Sequence, residues 1–97
     1  MVLEHALLWV APGQSAAFEA AMAEAMPLIA ASPGFGGIEV RPVISGAADH
    51  YLLLVTWDNV ESHRDGFRQS ERYAEWRALL HPFYDPMPEV RYFGETL

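Results

Sequence analysis

Two segments, residues 2–10 and 50–57, read as β-strands that are largely apolar on both faces, and this feature constrains the fold most. In the first segment, one face is formed by Leu3, His5, Leu7 and Trp9 and the other by Val2, Glu4, Ala6, Leu8 and Val10. In the second, the set Tyr51, Leu53, Val55 and Trp57 alternates with His50, Leu52, Leu54 and Thr56. Such strands belong at the centre of a sheet that is covered on both faces.

The other segments complete an α+β pattern within one domain, residues 1–97, because 97 residues are too few for two cores. The sequence predicts a helix over 15–31 capped by Ser15, a strand over 35–44, short helices capped by Asp58 and Ser70, and a strand over 89–95. Gly36 and Gly37 predict a bulge, and residues 45–49 a loop. This order indicates a ferredoxin-like split β-α-β fold with an antiparallel four-stranded sheet.

Helices can cover only one face of such a sheet, so the second apolar face needs a partner. The chain has no further element to supply it. We therefore expect a homodimer in which two sheets stack face to face. The alternative is a monomer with an unusually apolar sheet.

Composition excludes several classes of function. The net charge is −7, with six arginines and no lysine, which disfavours nucleic acid and anionic membranes as partners. Arg64, Arg68 and Arg72 alternate with acidic residues and are expected to form a solvated helix face. The absence of cysteine and lysine removes thiol and Schiff-base chemistry. The N-terminus has neither the basic region nor the cleavage site of a signal peptide, so we expect a cytoplasmic protein.

The stretch from Tyr51 to Arg77 is the best candidate for the wall of a small-molecule pocket. It brings an indole (Trp57), an imidazole (His63) and a guanidinium (Arg77) next to an apolar strand. A metal site is not expected, because every histidine is isolated in sequence and there is no HExxH motif.

Several short motifs along this chain, in this order, resemble the antibiotic biosynthesis monooxygenase family of dimeric α+β barrel proteins. They are the PGF segment at residues 33–35, YLLLVTW ending at Trp57, ESH ending at His63, FRQS ending at Ser70, EWRALL, and the final PEVRYF. The resemblance implies a pocket between sheet and helices, and cofactor-free oxidation of an anthrone or hydroquinone by O2. Trp57 and Arg77 match active-site positions of that family, whereas Leu53 and His63 replace an asparagine and a tyrosine.

From this chemistry we expect His63 to act as general base and Arg77 to hold a phenolate or carbonyl oxygen. The small aromatic substrate is expected to contact six side chains: His5, Leu53, Trp57, Phe67, Tyr73 and Trp76. This interpretation places His5 and Trp57 on the same, helix-covered face of the sheet. The competing interpretation for each residue is ordinary packing, or an exposed and paired charge.

Two other functions stay open at this point. One is a non-catalytic or accessory dimer module of the same fold that binds a small apolar ligand. The other is an isomerase or lyase acting on a cyclic ketone or lactone. Heme degradation, also found on this fold, is disfavoured because His5, Phe67 and Arg77 replace the residues that the heme-degrading relatives use.

Overall fold

The computed structural model describes residues 1–46 and 50–97, which form one antiparallel sheet with helices on one face. The strands lie in the spatial order β2-β3-β1-β4. They are β1 (Val2–Trp9), β2 (Phe35–Pro42), β3 (His50–Trp57) and β4 (Arg91–Phe93). The helices are α1 (Ser15–Ala30) and α2 (Glu71–Leu80), with a π-helix at Ser62–Phe67 and a 3₁₀ turn at His81–Phe83. The predicted ferredoxin-like α+β class is confirmed, while part of the predicted 45–49 loop lies outside the described residues.

Local chemistry explains where several elements begin. The pairing of β2 with β3 shifts between Phe35 and Gly37, so the bulge predicted from the two glycines is present. Ser70 caps α2 as predicted, since its hydroxyl accepts a hydrogen bond from the Tyr73 N–H at 3.3 Å. The N-cap of the π-helix before it is Glu61 rather than the predicted Asp58, and Glu61 makes no side-chain cap bond. The nearby Asn59 side chain accepts a hydrogen bond from the Ser62 N–H at 2.9 Å.

Several other bounds differ from the prediction, and β1 and α1 each end one residue earlier than predicted. The N-cap of α1 is Gln14, and Ser15 is the first helical residue, with no side-chain cap bond. Strand β2 ends at Pro42, which has no N–H to donate to a ladder. Strand β4 has three residues where seven were predicted, and it begins three residues after Pro88.

The core lies between the sheet and α1 and α2. Side chains of α1 at helical spacing, Phe18, Met22, Ala25 and Ile29, are at most 3% exposed. They pack on the buried set of β3, namely Tyr51, Leu53, Val55 and Trp57. Burial of this apolar surface, at about 25 cal/mol per Å², is the main stabilising contribution.

The register of β1 against β3 corrects the predicted position of His5. Val2 pairs with Trp57 and Glu4 pairs with Val55. Residues that pair across an antiparallel ladder project to the same side, so Glu4 shares the helix-covered face with Trp57. His5, one residue further along, projects from the opposite face.

The opposite face of the sheet is only partly covered in the single chain. Leu7 and Phe93 are 38% and 49% exposed, and the His5 ring packs edge-on against Phe93 at 5.5 Å between centroids. The His5 Nδ1 atom is buried and has no hydrogen-bond partner among the described residues. No helix in the described part of the chain has the length and apolar character needed to cross a membrane.

The backbone of Gly34, at the turn between α1 and β2, lies close against the side chains of the next helical segment. Its φ of +84° suits glycine, and a Cβ there would collide with the side chains of Asp58 and Ser62. The Gly34 carbonyl accepts a hydrogen bond from the Asp58 N–H at 2.9 Å. This contact joins the start of β2 to the segment that carries His63.

Candidate active site

A cavity of about 390 Å³ lies between the sheet and the helical segments that follow β3. Its volume is within the range of small-molecule sites. The sheet contributes the floor, the π-helix and α2 contribute one wall, and the segment after the 3₁₀ turn contributes another. The lining is Glu4, Ala6, Leu8, Ile29, Leu53, His63, Phe67, Arg68, Tyr73, Trp76, His81, Tyr84, Met87, Pro88 and Val90.

The π-helix determines which side chains reach this cavity. Its wider turn is closed by the Arg68 N–H, which donates to the carbonyl of His63, five residues earlier, at 3.0 Å. His63 and Phe67 both point inward and are 4% and 1% exposed. Arg68 follows directly, and its guanidinium carbon lies 5.6 Å from the centre of the Tyr73 ring. One short segment therefore delivers an imidazole, an aromatic wall and a cation.

Glu4 and His63 form a buried pair at the wall of the cavity. Glu4 Oε1 lies 3.4 Å from His63 Nε2, and the two side chains are about 5% and 4% exposed. The indole N–H of Trp57 donates to the same Oε1 at 2.9 Å. On the far side of the imidazole, Nδ1 lies 2.5 Å from the Tyr92 hydroxyl oxygen. The four groups form one contiguous array, in which two contacts are hydrogen bonds and the Glu4–His63 contact is an ion-pair distance.

Burial moves the pKa values of the pair in opposite directions. It raises the pKa of Glu4 from 4.5 to about 7, against the opposing effects of the Trp57 N–H and the positive charge of Arg68. Burial, together with a smaller effect of the positive charge of Arg68, lowers the pKa of His63 from 6.5 to about 4. Over the interval between these values, the proton of the pair therefore resides on Glu4 and His63 is neutral.

The pKa values of other polar groups around the cavity are also shifted in the direction that favours their neutral forms. Burial raises the pKa of the Tyr84 hydroxyl far above its ordinary value, and neighbouring Tyr73 and Glu4 raise it further. Burial lowers the pKa of His81, with Arg77 and Arg68 adding to the effect. The cavity therefore combines aromatic walls with neutral donors and one nearby cation, Arg68. This combination suits a planar, weakly acidic molecule.

The structure brings together five of the residues predicted for the site. His63 lines the cavity, as do Leu53, Phe67, Tyr73 and Trp76. Their contact with a substrate remains a prediction.

The other three predicted residues lie elsewhere. Trp57 is completely buried behind the cavity, where it contacts His63 and donates to Glu4. His5 lies on the opposite face of the sheet, as the strand register requires. Arg77 is on the exposed side of α2, in a shallow depression that shares His81 and Met87 with the rim of the cavity.

Glu4 and Arg68 are the main site groups that sequence reasoning did not identify. A carboxylate within an apolar strand was a signal for Glu4, because acidic side chains are rarely fully buried unless they are paired. Arg68 was assigned to a solvated helix face because the charges around it alternate, and it is indeed exposed, but it also lines the cavity. The π-helix changes the spacing on which that assignment relied.

Within residues 1–46 and 50–97, no group of three or more His, Asp or Glu side chains is arranged to hold a metal ion. The pair at Glu4 and His63 is enclosed instead by Trp57, Phe67 and Tyr92.

Comparison with known proteins gives consistent matches over nearly the whole chain. The uncharacterised protein YczJ of Bacillus subtilis (strain 168) is 41% identical over 96 residues, which is 99% of this chain and 100% of YczJ. A crystal structure of a candidate antibiotic biosynthesis monooxygenase from Bordetella bronchiseptica has 35% identity and a TM-score of 0.92, covering 99% of this chain and 97% of that one.

A second solved structure is SnoaB from Streptomyces nogalater, a cofactor-independent oxygenase, with a TM-score of 0.81 and 16% identity. The match covers 99% of this chain and 94% of SnoaB, and at that identity it shows the shared fold alone. The model of the family described as antibiotic biosynthesis monooxygenase matches residues 1–79. This chain therefore belongs to the antibiotic biosynthesis monooxygenase family.

Proposed function

We propose that this protein is a cofactor-independent monooxygenase that oxidises a small planar phenol, hydroquinone or anthrone with O2 inside the cavity described above. The observation that carries the proposal is the buried Glu4–His63 pair at the wall of an aromatic cavity. Family membership supports the reaction type, and SnoaB provides an example of a cofactor-independent oxygenase with this fold.

The reaction asks for proton transfer and the exclusion of water. For an anthrone, a base removes a proton from the ring system, and the resulting anion transfers an electron to O2. The two radicals combine into a peroxide anion, which takes a proton back. Loss of the second ring-carbon hydrogen with the distal oxygen releases one water and leaves a carbonyl. The methylene carbon is oxidised, and O2 is reduced to one retained oxygen and one water.

The residues of the cavity match these requirements. We assign proton removal to the His63 site, where the imidazole and the Glu4 carboxyl act together. Leu53, Phe67, Tyr73 and Trp76 hold the planar rings. Apolar burial around them excludes water from the peroxide.

Two arginines could stabilise the substrate oxyanion. Arg68 lines the cavity, whereas Arg77 lies on the exposed side of α2 beside its rim. We therefore assign the larger effect to Arg68 and a rim contact to Arg77.

Oxygen uptake by purified, metal-free protein tests the proposal on a panel of anthrones and naphthohydroquinones. We expect stoichiometric quinone formation, a loss of roughly 100-fold in His63→Ala, and a larger loss in Arg68→Ala than in Arg77→Ala. The exposed Glu75→Gln variant in α2 is the matched control and should keep the wild-type rate. Absence of turnover across the panel, or full turnover by His63→Ala, would contradict the proposal.

We also propose that the functional unit is a homodimer joined through the open face of the sheet. The exposed Leu7 and Phe93 side chains support this assembly, as does the His5 Nδ1 atom, which has no hydrogen-bond partner among the residues that the structure describes. A second copy would cover the apolar surface and supply a polar partner for the imidazole. His5 would then act at the interface rather than in the cavity.

A proton-transferring pair can also serve an isomerase or lyase acting on a cyclic ketone, because Glu4 and His63 can move a proton without O2. The oxygen-uptake panel separates these functions. Ligand binding with substrate rearrangement but no oxygen consumption would favour the isomerase, and tight binding with no chemical change would favour a ligand-binding module.

A further inference from the structure

We propose that Glu4, His63 and Tyr92 form a proton relay that leads from the cavity to the β4 edge of the sheet, with Glu4 as the group that exchanges a proton with the bound molecule. This proposal relies on the proposed function only for the chemical identity of the bound molecule. It assigns a role to two residues, Glu4 and Tyr92, for which neither position in the sequence nor family resemblance supplied one.

The geometry gives the relay its order. Glu4 lines the cavity, so its carboxyl group can meet a substrate directly. Its Oε1 is held by the Trp57 N–H at 2.9 Å and lies 3.4 Å from His63 Nε2. The other imidazole nitrogen lies 2.5 Å from the hydroxyl oxygen of Tyr92, which is only half-buried. The path thus begins at a buried wall and ends at a group with access to solvent.

Each residue comes from an element that the fold holds in place. Glu4 and Tyr92 are directly paired across β1 and β4, so both project to the helix-covered side. The π-helix brings His63 between them, and its ring packs against Trp57 and Tyr92 at 5.3 and 5.6 Å between centroids. The imidazole is enclosed on both sides, which restricts it to the orientation that joins the two oxygens.

A proton can pass along this path without leaving a new charge on the relay groups, while the negative charge stays on the deprotonated substrate. The substrate O–H or C–H bond breaks as a carboxyl O–H bond forms on Glu4. That proton then moves to Nε2 of His63 while the Nδ1 proton moves to the Tyr92 oxygen, and Tyr92 releases its original proton to solvent. Each bond to hydrogen that breaks is matched by one that forms. In the second half of the cycle the reverse exchange brings a solvent proton back to Glu4 and returns the imidazole to its first tautomer. Glu4 then gives this proton to the peroxide anion, which restores the carboxylate and resets the array.

The electrostatic surroundings favour Glu4 over His63 as the resting place of the proton. Burial raises the pKa of Glu4 to about 7, which is suited to exchange near neutral pH, whereas the pKa of His63 falls to about 4. The charged and titratable groups that face the pair are Arg68 from the end of the π-helix, Tyr84 from the segment after the 3₁₀ turn, and Tyr92 from β4. Arg68 opposes a positive charge on His63, so a doubly protonated imidazole is avoided.

Infrared difference spectroscopy tests the relay without any substrate. Wild-type protein titrated between pH 5 and 9 should lose the carbonyl band of one protonated carboxyl group, and Glu4→Gln should lack that band. Tyr92→Phe keeps the ring that packs on His63 but removes the hydroxyl, so it should shift the midpoint of the titration. Tyr51→Phe is the matched control, because it removes a hydroxyl bonded to Glu19 at 2.6 Å, away from the cavity.

Kinetics then connect the relay to turnover. On a substrate of the oxygen-uptake panel, we expect Glu4→Gln to slow the reaction by roughly 100-fold and Tyr92→Phe by roughly 10-fold, while Tyr51→Phe stays at the wild-type rate. Full activity in both Glu4→Gln and Tyr92→Phe would overturn the relay and leave the oxygenase proposal standing. If the infrared titration gives the expected result but no substrate of the panel is turned over, the relay would stand and the oxygenase proposal would be contradicted. Absence of the Glu4 band at pH 6 would overturn the relay by itself.

Discussion

The opposite pKa changes of Glu4 and His63 predict an unusual dependence of stability on pH. The pKa of Glu4 rises from 4.5 to about 7 in the folded state, so between these pH values the folded protein keeps a proton on Glu4 that the unfolded protein has released. Glu4 therefore favours folding below pH 4.5, and about 3 kcal/mol of that contribution is lost as the pH rises to 7. The depressed pKa of His63 has the opposite sign, since its contribution is present above pH 6.5 and about 3 kcal/mol is lost as the pH falls to 4.

In the wild-type protein these two contributions cancel between about pH 4.5 and 6.5. The folded pair holds one proton on Glu4, and the unfolded pair holds one proton on His63, so unfolding at these pH values neither takes up nor releases a proton at the pair. When one residue of the pair is substituted, the unfolding free energy should show the pH dependence that is due to the other residue. Relative to wild type, the unfolding free energy of Glu4→Gln should rise with pH by about 3 kcal/mol, and that of His63→Gln should fall by a similar amount.

Urea denaturation followed by tryptophan fluorescence, at intervals of half a pH unit and one fixed protein concentration, measures these slopes. Subtracting the wild-type profile removes the contributions of other titrating groups. Glu75→Gln, on the exposed side of α2, is the control and should follow the wild-type profile. If both pair variants ran parallel to wild type, the two groups would titrate normally and the reasoning from burial would be refuted.

Three further predictions concern packing at Gly34, the hydrogen bond from Trp57 to Glu4, and assembly. Gly34→Ala should destabilise the protein by about 2 kcal/mol more than Gly13→Ala in the same denaturation assay, because both have positive φ but only the first Cβ meets other atoms; equal losses would contradict the close approach at Gly34. Trp57→Phe should raise the midpoint of the Glu4 infrared titration, since the indole N–H lowers the pKa of that carboxyl, and an unchanged or lower midpoint would contradict the hydrogen bond. Leu7→Glu should convert the proposed dimer to monomer in sedimentation equilibrium, whereas wild-type protein that is itself monomeric would contradict the sheet-to-sheet assembly.

Much of the fold was predictable from the sequence because its signals are local. The alternation of residues 50–57 predicted β3 with the correct bounds, and the pair Gly36 and Gly37 marked the bulge. Ser70 caps α2, as its position immediately before a helical pattern predicted. In each case the physical cause lies within a few residues of its effect.

The candidate site was less predictable because it depends on long-range pairing. Alternation tells which residues of β1 share a face but not which face meets the helices. The antiparallel register with β3 decides that Glu4, and not His5, lies beside Trp57. The π-helix adds a second effect, since it turns His63 and Phe67 inward together and brings Arg68 to the cavity. Its five-residue hydrogen bond follows from tertiary packing rather than from a residue pattern.

Substitution of Ala6 tests the central claim most directly, because Ala6 is a small, buried residue on the floor of the cavity. Ala6→Leu should fill part of the cavity, and Ala74→Leu, on the exposed side of α2, adds the same atoms outside it. Oxygen uptake with the best substrate of the panel is measured for both, after circular dichroism has shown that each is folded. We predict a loss of at least about tenfold in Ala6→Leu and wild-type turnover in Ala74→Leu; wild-type turnover by folded Ala6→Leu protein would contradict the assignment of the reaction to this cavity.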